Sequence, residues 1–275
     1  MPEGDTIHRL AAGLRPDLEG RAIDRLYVRT HGDVAAVVGR KVVQVHALGK
    51  NLLIGIEDDW VIRIHLGLRG RARRLREHEA RAPIPAGWPL YLQAGPVRFA
   101  CTRAAHARLH RRADMHLEAA LRNVGPDLLD PASETADIVA RARAAIHADR
   151  EIAVVLADQQ IAAGIGNVYK SEVLFLEGVD PFARMQQLDD ATVARLYRTA
   201  RRLLESNLGP GPRVTVGELR GARRRPETAT LWVYRRAGLP CLRCKTTIEM
   251  RRQGDMARST YLCPRCQPAT SDTTA

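Results

Sequence analysis

No apolar run in this 275-residue chain approaches the ~20 residues that a bilayer-spanning helix needs. A charged-then-apolar leader is missing too, so the expectation is a cytoplasmic, nucleoid-associated protein without a membrane partner. Acidic residues are short relative to basic ones. The 31 Asp and Glu against 43 Lys and Arg leave a net charge of +12 and a pI near 10.1. Such a field favours a polyanionic partner, nucleic acid first and a membrane surface second. Cysteine is scarce as well: five residues, four of them in two CxxC pairs, do not read as a disulfide framework and point to metal. Cys101, on the alternating run from Val97, reads as a buried strand residue.

The chain is long enough to bury a core and to form one large or two ordinary domains. Its charge is uneven. Residues 213–267 hold 13 Lys and Arg against 4 Asp and Glu, so +9 of the +12 lies in the last fifth.

The opening residues, Met1-Pro2-Glu3-Gly4-Asp5-Thr6, place an unusual nucleophile at a chain end. Proline at position 2 permits methionine removal, which leaves a secondary amine. An α-amino group titrates near ~8, well below a lysine at ~10.4, so a useful fraction is neutral at physiological pH. Condensed with an aldehyde, a secondary amine gives an iminium that is cationic without a proton, an electron sink for elimination. Glu3 adds a carboxyl for proton transfer, and Gly4 lets the backbone approach a substrate. The bland alternative is that Pro2 only directs methionine removal and Glu3 is a solvated end.

Ile7, Leu10, Ala11, Leu14 and Leu18 recur at helical spacing, which predicts a helix from about Thr6 to Asp17. From Arg21 to about Arg111 the pattern changes to short alternating or apolar runs punctuated by Gly and Pro, predicting a β-sandwich. Lys50 falls in a Gly49-Lys50-Asn51 turn between two such runs. A second turn, Leu68-Arg69-Gly70, carries a bulky apolar tip beside an arginine, with Leu68 as an ordinary core leucine the alternative. Residues 76–88 have no periodicity and read as a surface loop. The Pro- and Gly-containing stretch 124–131 reads as a hinge. Beyond it four segments show helical spacing, two of them flanking Gly164-Ile165-Gly166-Asn167. Glycines there let two helices meet tightly, and free amides at the second helix's start suit phosphate.

Cys241-x2-Cys244 and Cys263-x2-Cys266, eighteen residues apart, can present four thiolates tetrahedrally. Four ligands leave no open position, so the expected cofactor is one structural zinc whose binding energy folds the intervening hairpin.

These motifs together resemble the formamidopyrimidine-DNA glycosylase and endonuclease VIII family, from Met1 to about Gln267. The opening "MPEGDT" and the "LWVY" run before the cysteines look more like the endonuclease VIII branch. The resemblance implies an α+β fold in five parts: an N-terminal catalytic β-sandwich domain with an N-terminal helix (1–123), the hinge (124–131), a helix-two-turn-helix DNA-binding domain (132–212), a basic segment with a four-cysteine zinc-finger hairpin (213–267) and a disordered tail (268–275). It implies a DNA glycosylase and abasic-site lyase, with Pro2 as Schiff-base nucleophile and Glu3 as proton-transfer group. Lys50 would serve as phosphate-binding or catalytic lysine, and Glu172 as the helix carboxylate supporting the site. Leu68, Arg69, Asn167 and Arg258 would contact DNA. The implied partner is double-stranded DNA containing oxidised bases, pyrimidines favoured, or abasic sites, bound by a monomer. Two alternatives stay open: formamidopyrimidine or 8-oxoguanine specificity, and a non-catalytic zinc-dependent DNA-binding protein. The chain departs from the family pattern at Asp5-Thr6, where many relatives have a second glutamate, and at Gln159-Gln160, which stand in place of a lysine.

Overall fold

The apolar stripe Ile7, Ala11, Leu14, Leu18 is buried along α1 (Gly4–Leu18), which starts directly behind Glu3. In the computed structural model, which describes residues 2–76, 84–85, 87–117, 121, 123–217 and 229–269, the chain divides into two compact units, Met1–Asn123 and Val124–Ala275.

The first unit is a sandwich of two antiparallel sheets. Its strands are β1 (Arg25–Val28), β2 (Gly32–Asp33), β3 (Val42–Leu48), β4 (Asn51–Ile56), β5 (Trp60–His65), β6 (Arg71–Arg74), β7 (Leu90–Ala94), β8 (Val97–Thr102) and β9 (His106–Arg111). They order as β2-β1-β7-β8-β6 and β3-β4-β5-β9. Leu52, Ile54, Ile62 and Ile64 from one sheet and Leu26, Leu92 and Phe99 from the other share one core with α1. Alternate positions face away, as the two-residue pleat requires. Cys101 is fully buried on β8, and burial pushes its thiol up to about 12, so it is inert.

β6, which reads Arg-Ala-Arg-Arg, escapes the apolar-alternation rule, and it exists because a neighbour supplies a ladder: Ala72 pairs with Cys101. β9 keeps the alternation, with Ala107 and Leu109 buried between exposed His106 and Arg108. Most of the loop read at 76–88 lies outside the described residues.

The second unit holds α2 (Thr135–Ala142), α3 (Ile152–Leu156), α4 (Asn167–Leu176) and α5 (Asp190–Ser206), followed by the hairpin β10 (Glu249–Gln253) and β11 (Arg258–Leu262). Asp189 caps α5 by accepting the Thr192 amide. α4 is buried on almost every side, from Asn167 to Phe175, as the central helix of this unit. Residues 124–131, expected as a hinge, are tied into this unit. Gly125 N donates to the Gln159 carbonyl at 2.9 Å, Leu128 N to Ala163 at 3.1 Å, and Leu128 is buried. A methyl on Gly125 would sit 2.6 Å from the carbonyl oxygens of both Gln160 and Ile161, which only glycine avoids. Of the expected tail, residues 270–275 lie outside the described residues.

Candidate active site and nucleic-acid interface

In the first unit the candidate groups gather at strand ends and at the start of α1. Pro2 is partly exposed, whereas Glu3 and Asp5 immediately behind it are fully buried. Glu3 occupies the N-cap position in extended conformation, and its carbonyl receives the amides of Thr6 (3.0 Å) and Ile7 (3.2 Å). Its carboxyl therefore sits at the positive end of the helix dipole. Asp5, which stands near the position of the second glutamate of many relatives, accepts the Thr6 hydroxyl at 3.2 Å.

Lys50 is the second residue of a two-residue hairpin loop, fixed by the Leu48–Asn51 pairing. Gly49 adopts the positive φ of 55° that the first loop position demands. Asn51, next along, is buried and accepts from Arg63 Nε at 3.0 Å. Across the ladder from Asn51 lies His65, a residue the motifs did not single out. Burial, reinforced by the charges of Arg63 and Lys50 and by His106, lowers its pKa to about 4, so it is neutral near pH 7. The signal was available in the sequence: His65 ends the strand that leads into the Leu68 turn. At that turn Leu68 is 73% exposed. It is therefore not a core leucine, and Arg69 beside it is exposed too.

In the second unit Gly164 takes φ 119°, and Gln159 staples the turn. Its side chain donates to the carbonyls of Ala157 (2.8 Å) and Ile165 (2.9 Å) and accepts the Gly164 amide (3.1 Å). Gln159 is thus spent on loop geometry, which accounts for a glutamine there. Asn167 begins α4, with Gly166 as its cap and the helix's free amides beside it.

The three residues Lys170, Ser171 and Glu172 are all buried. Lys170 Nζ donates to Thr260 Oγ1 at 2.8 Å, and the Ser171 hydroxyl accepts the Tyr261 amide at 3.3 Å, so both bind β11. Glu172 receives the Thr215 hydroxyl and the amides of Trp232 (2.8 Å), Val233 (2.9 Å) and Tyr234 (2.8 Å). Burial raises its pKa, opposed by these four donors. Four donors match the lone pairs of an ionised carboxylate. The segment between Thr215 and Trp232, of which 218–228 lie outside the described residues, is thereby pinned at both feet.

The four sulfurs of Cys241, Cys244, Cys263 and Cys266 lie within 4.8 Å of one another. Thiolates on one tetrahedral zinc at ~2.3 Å stand roughly 3.8 Å apart, so the set fits that ion. Around it only a small core forms, from Val233, Ile248 and Phe175 of α4, with Trp232 packed against it. Arg258 opens β11 just past the hairpin turn 254–257. It donates to the Met256 sulfur at 3.6 Å.

The comparisons with known proteins agree along the whole length. The formamidopyrimidine-DNA glycosylase N-terminal domain matches residues 1–125, its H2TH domain 125–215, and the zinc finger found in FPG and IleRS 238–269. A probable endonuclease 8 2 of Streptomyces coelicolor is 35% identical over 271 residues, covering 97% of this chain and 94% of its own. The chain belongs to the formamidopyrimidine-DNA glycosylase and endonuclease VIII family. A second member, the DNA-(apurinic or apyrimidinic site) lyase Nei2 of Mycolicibacterium smegmatis, is 36% identical over 275 residues, covering 98% of this chain and 100% of its own. The formamidopyrimidine-DNA glycosylase of Moorella thermoacetica is 36% identical over 268 residues, covering 90% and 93%. Lactococcus lactis formamidopyrimidine-DNA glycosylase bound to abasic-site DNA shares the fold, with a TM-score of 0.76 at 21% identity, covering 97% of this chain and 100% of that one. As in the family, the four cysteines form a structural zinc site. No helix among the described residues is long and apolar enough to cross a membrane.

Proposed function

We propose that this family member is a bifunctional glycosylase and abasic-site lyase of base excision repair, acting as a monomer on double-stranded DNA in the cytoplasm, at the nucleoid. The observation that carries the reading is the start of α1, where a partly exposed Pro2 directly precedes a fully buried Glu3. Nucleophile and proton donor are thereby fixed to one rigid element.

The damaged nucleotide is rotated out of the stack at a cost of a few kcal/mol, offset by backbone contacts. Lys50, Asn167 and Arg258 grip phosphates, and Leu68, with Arg69 beside it, enters the void. The Pro2 amine attacks C1′, Glu3 delivers a proton that opens the sugar ring, and the base departs. The resulting iminium acidifies the C2′ proton. Loss of that proton expels the 3′ phosphate by β-elimination, and the 5′ phosphate follows by δ-elimination. Glu172 supports the site through the chain segments it holds. The zinc supplies folding, with no step of the reaction assigned to it.

Oxidised pyrimidines are the favoured bases. The short, arginine-rich stretch between Val216 and Trp232 suits phosphates better than the covering of an aromatic face. Saturated pyrimidines, having lost aromaticity, stack weakly and need less covering. Single-turnover rates on duplexes containing thymine glycol, dihydrouracil or 8-oxoguanine opposite cytosine test this. Faster pyrimidine release is expected; an 8-oxoguanine rate equal or higher moves the protein to the formamidopyrimidine branch, the specificity named for its Moorella relative. Glu3→Gln should impair base release more than cleavage at a preformed abasic site. Equal losses would contradict the role given to Glu3.

A further inference from the structure

Lys170 is 2% exposed although its side chain is long and cationic, and a lysine is rarely buried without partners that hold its amine. Its Nζ opens a buried chain of polar contacts. It donates to Thr260 Oγ1 at 2.8 Å, the Thr260 hydroxyl donates to Gln253 Oε1 at 2.8 Å, and Gln253 Nε2 donates to the Pro181 carbonyl at 2.8 Å. Thr260 and Gln253 are buried as well. A buried network of this kind specifies one arrangement, because any slip leaves a polar group unpaired away from water.

What the network fixes is a register. α4 and β11 meet at Lys170 and Thr260, then at Ser171, whose hydroxyl accepts the Tyr261 amide at 3.3 Å, then where Phe175 and Cys263 share a core. Farther on, Gln267 Nε2 donates to the Val179 carbonyl at 2.9 Å. The contacts advance in step, so helix and strand run the same way. Asn167 stands three residues before Lys170 and Arg258 two before Thr260, so both open their elements at the same end. From the rise per residue, Asn167 lies about 4.5 Å and Arg258 about 7 Å along their elements from the Lys170–Thr260 contact.

Both residues are also tied to the network directly. Gln253 is the ladder partner of Arg258, so the strand pair from which Arg258 projects is anchored by the same contacts. The Ser171 hydroxyl donates to the Asn167 carbonyl at 3.0 Å. Two groups grip one backbone together only if their separation is set in advance, and the joint gain is lost when it is not.

We infer that Lys170 is a positioning residue that holds the zinc hairpin in register on α4 and so fixes the separation of Asn167 and Arg258 for a joint grip on the DNA backbone. Buried as it is, it touches no phosphate itself. This brace rests on the phosphate contacts proposed above for those two residues and adds what makes them one clamp.

The test breaks the contact without changing charge. Thr260→Val, in the zinc-loaded full chain, removes the hydroxyl that Lys170 and Gln253 share, and affinity for an abasic-site duplex is measured against salt. Loss of the Arg258 contact should lower the salt slope by about 0.9, although no charge has been removed. In an Arg258→Gln background the same substitution should lower it no further, a dependence that a general loss of stability would not reproduce. Thr260→Ser, which keeps the hydroxyl, should bind as wild type does, and Lys170→Met, which breaks the contact from the helix side, should match Thr260→Val. An unchanged slope in Thr260→Val and Lys170→Met, or equal losses with and without Arg258, overturns the brace. Arg258→Gln that binds like wild type overturns instead the grip beneath it, and the brace falls with it.

Discussion

The Glu172 carboxylate accepts the Tyr234 amide at 2.8 Å, and with it three other donors drawn from both ends of the chain segment between Thr215 and Trp232. A carboxylate so engaged has no lone pair left for a substrate proton. Within its own unit it holds chain, and that has a measurable signature.

Glu172→Gln keeps the size of the side chain but turns an NH2 group toward donors. Each buried donor left facing it costs about 1–3 kcal/mol. Thermal unfolding should fall by about 2–4 °C per kcal/mol lost for a unit of this size, with zinc retained less tightly. Glu172→Gln that keeps its melting temperature and its zinc while losing the lyase step would instead make Glu172 a catalytic group.

The zinc module predicts a thiol pattern. In the loaded protein no cysteine should react quickly. Chelation should release about one zinc per chain and expose the four clustered thiols. Cys101, buried on β8 with its thiol pushed up to about 12, should stay silent until the first unit unfolds. Cys244→Ser or Cys263→Ser should unfold the hairpin and loosen α4, whose Phe175 sits in the same small core, while the β-sandwich remains intact. A fully folded, metal-free protein with normal DNA affinity would refute the site's role.

His65 predicts an acid sensitivity. Its folded pKa of about 4 lies below its unfolded value near 6.5, so the unfolded chain binds the proton more readily between those limits. Stability from this residue is complete above pH ~6.5 and is lost as pH falls toward 4. Comparing denaturation midpoints of wild type and His65→Asn at pH 7.5 and pH 4.5 isolates it from the carboxylates. The variant should lose less on acidification; an equal loss would remove His65 as the cause.

Much of this architecture is legible in the amino-acid order, and the exceptions have physical reasons. The α1 stripe and the two CxxC pairs are local patterns, and they locate the reactive terminus and the metal. β6 is invisible to pattern reading because three of its four residues are arginine and its ladder comes from β8. α4 carries Lys170, Ser171 and Glu172 in succession, and although the segment's spacing is helical, nothing local says that three polar side chains in a row are buried. They are buried only because β11 and residues 232–234 supply partners from sixty to ninety positions away. Gln159 likewise reads as the loss of a lysine, yet its side chain closes the turn before Asn167.

The central claim is that Pro2 is the nucleophile, and borohydride trapping on a duplex with an abasic site tests it most directly. With removal of Met1 verified, the account predicts a covalent protein–DNA adduct whose crosslink maps by mass spectrometry to Pro2, and no adduct when the terminus is blocked. A crosslink at any lysine, Lys50 included, or none with a free Pro2, would contradict it.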